Sequence, residues 1–453
     1  MDEIFYYLNN HHFQCLADLT DYLKIPSISS DPTQKESLVS CAEYTAHLLR
    51  EAGLESVEIH PTAGHPIVTG SWRKAENRPT VIIYGHYDVQ PVDPLPLWTE
   101  PPFSPYIRHD RMFARGSADD KGQIFMHIQA VKAILATKEA LPVNVCFVIE
   151  GEEEFGSANL PEFLKQHASE LQGDVALVSD SSMWAEGVPA ITTSLRGLLF
   201  LELTLTGPNR DLHSGTFGGA IANPLEILSR MLASIKNDQG HILIPGFYDQ
   251  VQPPNLALRH LHKTLPFDEK RYLESVGLKA GWGEHGYSTL ERLWLRPTFE
   301  INGIWGGFMG PGSKTVIPSQ AHAKLSMRLV DGQEPDEIES RVRDFFQSIQ
   351  PDGVTLTVDR VPGGGRGISI PHNLPALVAA KRALEESFEH PPLLVGEGAT
   401  IPVVADFERY LNLPTLLIGF ALPDACPHSP NENLHLPTFH TGTQSLVRLL
   451  HYL

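Results

Sequence analysis

A chain of 453 residues, 42% hydrophobic and only 20% charged, with 36 glycines and 36 prolines spread evenly, describes a folded protein of two or three domain-sized units rather than a disordered one. Its 54 acidic residues against 35 lysines and arginines, a formal charge of −19, argue against nucleic acid or an anionic membrane as partner. Four scattered cysteines (Cys15, Cys41, Cys146, Cys426) form no C-x-x-C pair, and the start lacks a signal-type pattern. No apolar run reaches the roughly 18 residues of a membrane span, so the chain reads as soluble and cytoplasmic.

In chain order, the apolar spacing predicts a helix over 37–54, a strand at 80–85 ("TVIIYG"), a helix over 121–136, a β-branched strand at 143–150 ("VNVCFVIE") and a short strand at 174–179. Strands alternating with helices at this spacing imply an α/β unit, its mostly parallel sheet covered by helices on both faces. Between them "PVDPLPLWTEPPFSPY" (91–106) carries six prolines and reads as a stiff loop inside the unit.

Near residue 191 the pattern changes. A half-exposed strand (198–207), a helix (218–235), two strands around a turn within 314–332, a helix (334–349) and a strand (354–361) follow, with a long irregular insert at 236–297. This is the order of a ferredoxin-like β-α-β-β-α-β unit. "PGGGRG" (362–367) reads as a hinge, after which a helix (374–388) and a strand (413–420) restore the first texture. The expected division is a catalytic unit in two parts, 1–193 and 366–453, interrupted by an inserted unit at 194–365.

In open α/β sheets, ligands bind beyond the carboxyl ends of the strands. The strand 80–85 is followed by His86 and Asp88, the strand 143–150 by Glu152, Glu153 and Glu154, the strand 174–179 by Asp180, and the strand 413–420 by a short loop and His428; Asp119 and Asp120 open a helix. Many carboxylates at one sheet edge would repel one another unless cations hold them. Asp119, Glu154 and Asp180 with two neutral imidazoles around two divalent ions leave a net charge near +1, which a bridging hydroxide neutralises. Mixed imidazole and carboxylate ligands suit Zn, Mn or Co. Glu153 is then available as general base, and Asp88, two residues from His86 on an extended chain, can fix the imidazole tautomer.

The segments "GHYDVQP", "ARGSADDKGQ", "EGEEEFGS", "LVSD", "DLHSGTFGG", "KTVIPSQAHAKLSMRL", "GEGATIPV" and "HSPNENLHL" together resemble the dinuclear metallopeptidase family of carnosinase, cytosolic nonspecific dipeptidase, acetylornithine deacetylase and aminoacylase, nearest its dipeptidase branch. The resemblance implies His86 and Asp180 on one metal, Glu154 and His428 on the other, Asp119 bridging, Glu153 as base and Asp88 behind His86. It also implies a cis peptide between Asp119 and Asp120, a homodimer formed through the inserted unit, His213 as an oxyanion stabiliser reaching the partner's site, Arg328 on the substrate's terminal carboxylate, and His372 beside the substrate. "GEGAT" departs from the E-G-G-S of the dipeptidases: Ala399 and Thr400 replace Gly and Ser, leaving a hydroxyl at Thr400 and altering the loop around the substrate. The implied reaction is hydrolysis of a dipeptide or short peptide. Deacylation of an N-acyl amino acid at the same site is the alternative, and a non-catalytic metal-binding scaffold is a third reading, disfavoured because all six ligand and base positions are filled.

Overall fold

The computed structural model describes residues 1–453. The chain forms two compact units, one of Met1–Thr193, Ile370–Val395 and Val403–Leu453, the other of Ser194–Ser369 and Gly396–Pro402.

The first unit is built on a sheet whose strands lie in the order Ser56–His60, Ile67–Trp72, Asn144–Glu150, Thr80–His86, Val175–Val178, Thr415–Leu417, Ala190–Leu195. Its four middle strands are parallel, and the flanking ones antiparallel. Parallel strands covered on both sides are apolar without alternation, and residues 81–86, 145–150 and 175–178 are accordingly buried without a break. The helix Lys121–Lys138 is buried almost all round, between the Thr80–His86 strand and the C-terminal helix Leu436–Tyr452. Two glycines permit its close seat. A Cβ on Gly85 would lie 2.6 Å from Asp120 Oδ2, and one on Gly122 would lie 1.9 Å from the Ser117 carbonyl oxygen.

The proline-rich stretch is a loop with one short 3-10 turn, Leu95–Leu97, and a cis Asp93–Pro94 peptide. The segment from Leu436 to Tyr452, not anticipated as a helix, closes the core with Phe439, Leu446, Val447 and Leu450.

The second unit has a four-stranded antiparallel sheet in the order Thr298–Gly306, Gln320–Leu329, Gly197–Thr206, Thr355–Gly365. With the helices Pro224–Ala233 and Pro335–Ile349 this gives the expected β-α-β-β-α-β order. Leu199, Leu201, Leu203 and Leu205 face Leu228, Met231, Val342 and Phe346 in its core, each removing apolar surface worth about 1.5–3 kcal/mol.

Three expectations are corrected. The second strand of the motif is Thr298–Gly306, whereas Val316–Ile317 pairs with Leu212–His213 in a separate two-stranded ladder. A bulge between Ile301 and Gly303 breaks the alternation that would have revealed that strand. Pro362 and the glycine run at 363–365 continue the strand Thr355–Gly365 through a register shift instead of forming a hinge. The insert at 236–297 holds three short helices, Leu256–Thr264, Glu269–Ser275 and Thr289–Trp294, the last opened by a Ser288–Glu291 capping box.

Candidate metal centre

The strand Thr80–His86 delivers His86 and, two residues on, Asp88 into full burial. An ionisable side chain there is costly unless it is paired. The Nδ1 of His86 meets the Asp88 carbonyl oxygen at 3.1 Å and lies 3.5 Å from the Asp88 carboxylate. Its Nε2 is therefore turned away, 3.2 Å from Asp119 Oδ1 and 3.9 Å from Asp180 Oδ2, buried and without a hydrogen bond. On the far side of Asp119, His428 Nε2 stands 2.9 Å from Asp119 Oδ2 and 3.2 Å from Glu154 Oε2.

The ligand atoms of His86, Asp119 and Asp180 lie within 4.8 Å of one another, and so do those of Asp119, Glu154 and His428. Asp119 belongs to both groups. The Asp119–Asp120 peptide is cis, as the resemblance implies. Asp120 does not cap its helix with its side chain; it turns back instead, Oδ2 accepting the His86 backbone N–H at 3.3 Å.

The electrostatics are those of a site with an excess of carboxylates. Burial works against the His86 imidazolium, but the neighbouring Asp119 and Asp88 carboxylates more than offset it and hold its pKa well above the usual histidine range. Hydrogen bonding to Asp119 and Glu154 lifts His428 to about 10. Burial would raise Asp119, yet the two imidazoles hold it below the ordinary aspartate range. Burial and then the Asp119 charge push Asp180 up to about 7, and burial raises Glu154 and, strongly, Glu153. Protons are thus retained where acidic groups and imidazoles crowd together, which is where divalent cations would replace them. A buried imidazole nitrogen that faces carboxylates without a well-formed hydrogen bond, two three-donor groups and a shared carboxylate fit a pair of such cations.

The remaining sequence-derived residues are placed as follows. Glu153 opens the short turn Glu153–Phe155 beside Glu154, close enough to feel the charges of His86 and Asp180. Arg328 lies on the strand Gln320–Leu329 of the second unit, its Nη1 donating to Thr400 Oγ1 at 3.1 Å, and Thr400 in turn donates to the Arg196 carbonyl oxygen at 2.6 Å. His213, in the same unit, is exposed and accepts the Gly215 backbone N–H on Nδ1 at 3.0 Å. His372 is exposed, three residues before the helix Pro375–Phe388.

Four supporting residues were not singled out in the sequence. Gln90 donates to Glu154 Oε2 at 2.8 Å. Glu432 and Arg115 pair at 2.7 Å in the core. Glu150 accepts from Tyr84 at 2.6 Å and Ser157 at 2.9 Å, and burial pushes it up to about 8. The first glutamate of the triplet is structural: Glu152 accepts the His65 backbone N–H at 2.8 Å and the Asn159 amide at 2.8 Å.

A parallel sheet whose strands end in a shared imidazole–carboxylate cluster, with a second, ferredoxin-like unit, defines a metal-dependent hydrolase. More narrowly, the chain belongs to peptidase family M20/M25/M40, whose model matches residues 82–452. It is 30% identical to the Cys-Gly metallodipeptidase dug1 of Schizosaccharomyces pombe over all of this chain and 98% of that protein. Among solved structures it is similar to the dipeptidase Dug1p of Saccharomyces cerevisiae, with TM-score 0.81, 28% identity and 100% and 98% of the two chains covered. It is similar also to the M20 metallo-carboxypeptidase Sso-CP2 of Sulfolobus solfataricus, with TM-score 0.84, 29% identity and 96% and 98% covered. No helix is long and apolar enough to cross a membrane.

Proposed function

We propose that this protein is a metallodipeptidase that hydrolyses the peptide bond of dipeptides or short peptides. The observation that carries the reading is the pair of three-donor groups joined at Asp119; its likeness to Cys-Gly and β-Ala-His dipeptidases over nearly the whole chain supports it.

In this reading His86, Asp180 and Asp119 would hold one divalent cation, and Glu154, His428 and Asp119 a second, of Zn, Mn or Co. Such ions polarise a scissile carbonyl and lower the pKa of the attacking water. The Glu153 carboxylate would take the proton from the attacking water and return it to the leaving amine. Asp88 keeps His86 Nδ1 occupied so that Nε2 is the free ring nitrogen. Arg328 binds the substrate's terminal carboxylate, Thr400 and His372 are further substrate-binding residues, and His213 donates to the developing oxyanion in a partner protomer of a homodimer formed through the second unit. The four unbonded cysteines support a reducing, cytoplasmic setting.

The deciding experiment is a panel of Cys-Gly, β-Ala-His, other dipeptides, a tripeptide and N-acyl amino acids, assayed on chelated protein resupplied with Zn, Mn or Co. Dipeptide cleavage that depends on the added metal is expected. Turnover confined to N-acyl amino acids would replace the peptidase reading by the deacylase one, and no metal-dependent turnover at all would sink both.

A further inference from the structure

Glu432 has no exposed surface, and its carboxylate gathers four donors: Arg115 Nη1 at 2.7 Å and the backbone N–H groups of Gly116 at 3.0 Å, Ala118 at 2.8 Å and Asp119 at 3.0 Å. Arg115, also buried, donates its other terminal nitrogen to the Pro91 carbonyl oxygen at 2.9 Å, its guanidinium over the Trp98 ring. A carboxylate this deep is tolerated only when its lone pairs are satisfied, and here nearly all of that satisfaction comes from one short turn, the one that ends at Asp119. The reaction described above uses neither Glu432 nor Arg115.

The other end of the tether is His428, four residues before Glu432. No strand holds it: His428 and Asn431 both adopt left-handed backbone conformations, with φ of 57° and 63°. The next regular element is the strand Asn433–His435. The Asn433 N–H closes the loop on the Ala425 carbonyl at 2.9 Å, and side chains fasten it to the rest of the unit, with Asn431 Oδ1 accepting the Thr99 N–H at 2.8 Å and Nδ2 donating to the Leu97 carbonyl at 3.0 Å, on the same stretch that leads to Arg115. Between the Asp119 turn and the His428 loop, Glu432 is the one group bonded to the backbone of the former and carried by the latter.

We propose that Glu432, held by Arg115, is a positioning residue that fixes the Asp119 backbone relative to the His428 loop and so presets the spacing of two metal ligands. The inference rests on reading the site as a metal centre. Groups that orient ligands in this way typically change metal affinity about 10–100-fold when altered.

The test is cobalt binding to metal-free, full-length protein, followed by titration and visible absorption, in the wild type, E432Q and R115K. Glutamine keeps the shape of Glu432 but turns an NH2 group toward N–H donors, breaking part of the set. E432Q is expected to bind cobalt roughly 10–100-fold more weakly with an altered ligand-field spectrum, and R115K to shift the same way by less. A purely structural role would lower the melting temperature of the metal-free protein and leave affinity and spectrum unchanged. Folded E432Q with wild-type affinity and spectrum overturns the proposal. If E432Q does not fold, R115K decides: weaker cobalt binding supports the proposal and wild-type binding overturns it. The metal-centre reading itself fails separately, if the wild type binds no cobalt.

Discussion

The Asp88 carboxylate accepts the backbone N–H of Glu153 at 3.2 Å through Oδ1, and that of Glu154 at 3.1 Å through Oδ2. The same residue receives His86 Nδ1 on its backbone carbonyl at 3.1 Å. Asp88 therefore does more than set an imidazole tautomer. It fixes, from one fully buried position, the His86 ring and the backbones of Glu153 and Glu154, the residues proposed as ligand, base and ligand.

Replacing Asp88 with asparagine keeps the carbonyl that holds His86 but leaves only one oxygen for two N–H donors. The turn bearing Glu153 and Glu154 is expected to loosen, with turnover falling about 10–100-fold and KM little changed, since substrate contacts are untouched. Steady-state kinetics with metal analysis of the same preparation checks this. Unaltered kcat would show that the two backbone bonds are dispensable.

Glu153→Gln removes the proton acceptor without removing a ligand. Metal content should stay at the wild-type level while kcat falls about 10²–10⁴-fold, the usual contribution of a positioned general base. A variant that keeps both metal and activity would assign the base elsewhere, and the neighbouring carboxylates would then have to be tested in turn.

Much of this arrangement is legible in the sequence because parallel strands are apolar throughout, so the polar residues that end them stand out. His86, Glu154 and Asp180 are found that way, and the helix-opening Asp119 by its neighbour Asp120. What escapes is support between segments distant in sequence. Glu432 and Gln90 sit inside the quoted motifs "HSPNENLHL" and "GHYDVQP", yet nothing in their spacing says that one holds the Asp119 turn, 313 residues away in sequence, and the other Glu154. The strand Thr298–Gly306 escapes for a different reason: its bulge and two glycines erase the alternation by which strands are recognised.

The perturbed groups make metal binding depend on pH. In metal-free protein His428, lifted to about 10, is protonated at pH 8, His86 is raised by the Asp119 and Asp88 carboxylates against the effect of burial, and Asp180, near 7, has mostly released its proton. Loading both ions should then displace at least the His428 proton, together with those held by His86 and by the raised Glu154 carboxylate. Titration calorimetry at pH 8 in buffers of different ionisation enthalpy reads the number displaced directly. The sign for stability follows: raised imidazoles stabilise the metal-free fold fully below about 6.5 and lose that contribution as pH rises toward 10, and Asp180, raised from 3.8 to about 7, also costs stability as it ionises. The melting temperature of metal-free protein should fall between about pH 5 and 9, and the metal-loaded protein should show a smaller decline. Equal slopes would mean that these groups are not the ones the ions engage.

Arg328 is held by Thr400, and Thr400 by the Arg196 carbonyl, so the guanidinium arrives with its orientation set. Lysine at 328 retains the charge and loses the planar fork that grips a carboxylate at two points. The expected result for Arg328→Lys is a KM for dipeptides raised about tenfold or more with a smaller change in kcat. Dipeptide amides, which lack the terminal carboxylate, should respond far less. Equal losses on acid and amide substrates would remove Arg328 from carboxylate recognition.

His213 poses the sharpest test of the assembly. Its Nδ1 accepts the Gly215 N–H, which leaves the proton of the neutral ring on Nε2, a donor 3.4 Å from Thr315 Oγ1. That is the tautomer an oxyanion needs. If the donor serves a partner's site, a His213→Ala protomer is defective only in what it gives, and a Glu153→Gln protomer only in what it does. Each homodimer should be nearly inactive. Co-expressed, they should form mixed dimers in which the His213→Ala protomer supplies Glu153 and receives His213 from its companion, restoring up to about a quarter of wild-type activity for random pairing. Donation within one chain predicts no restoration, because every site would then lack one of the two groups. A monomer by light scattering would lead to the same null result, so the two measurements together separate a wrong role for His213 from a wrong oligomeric state.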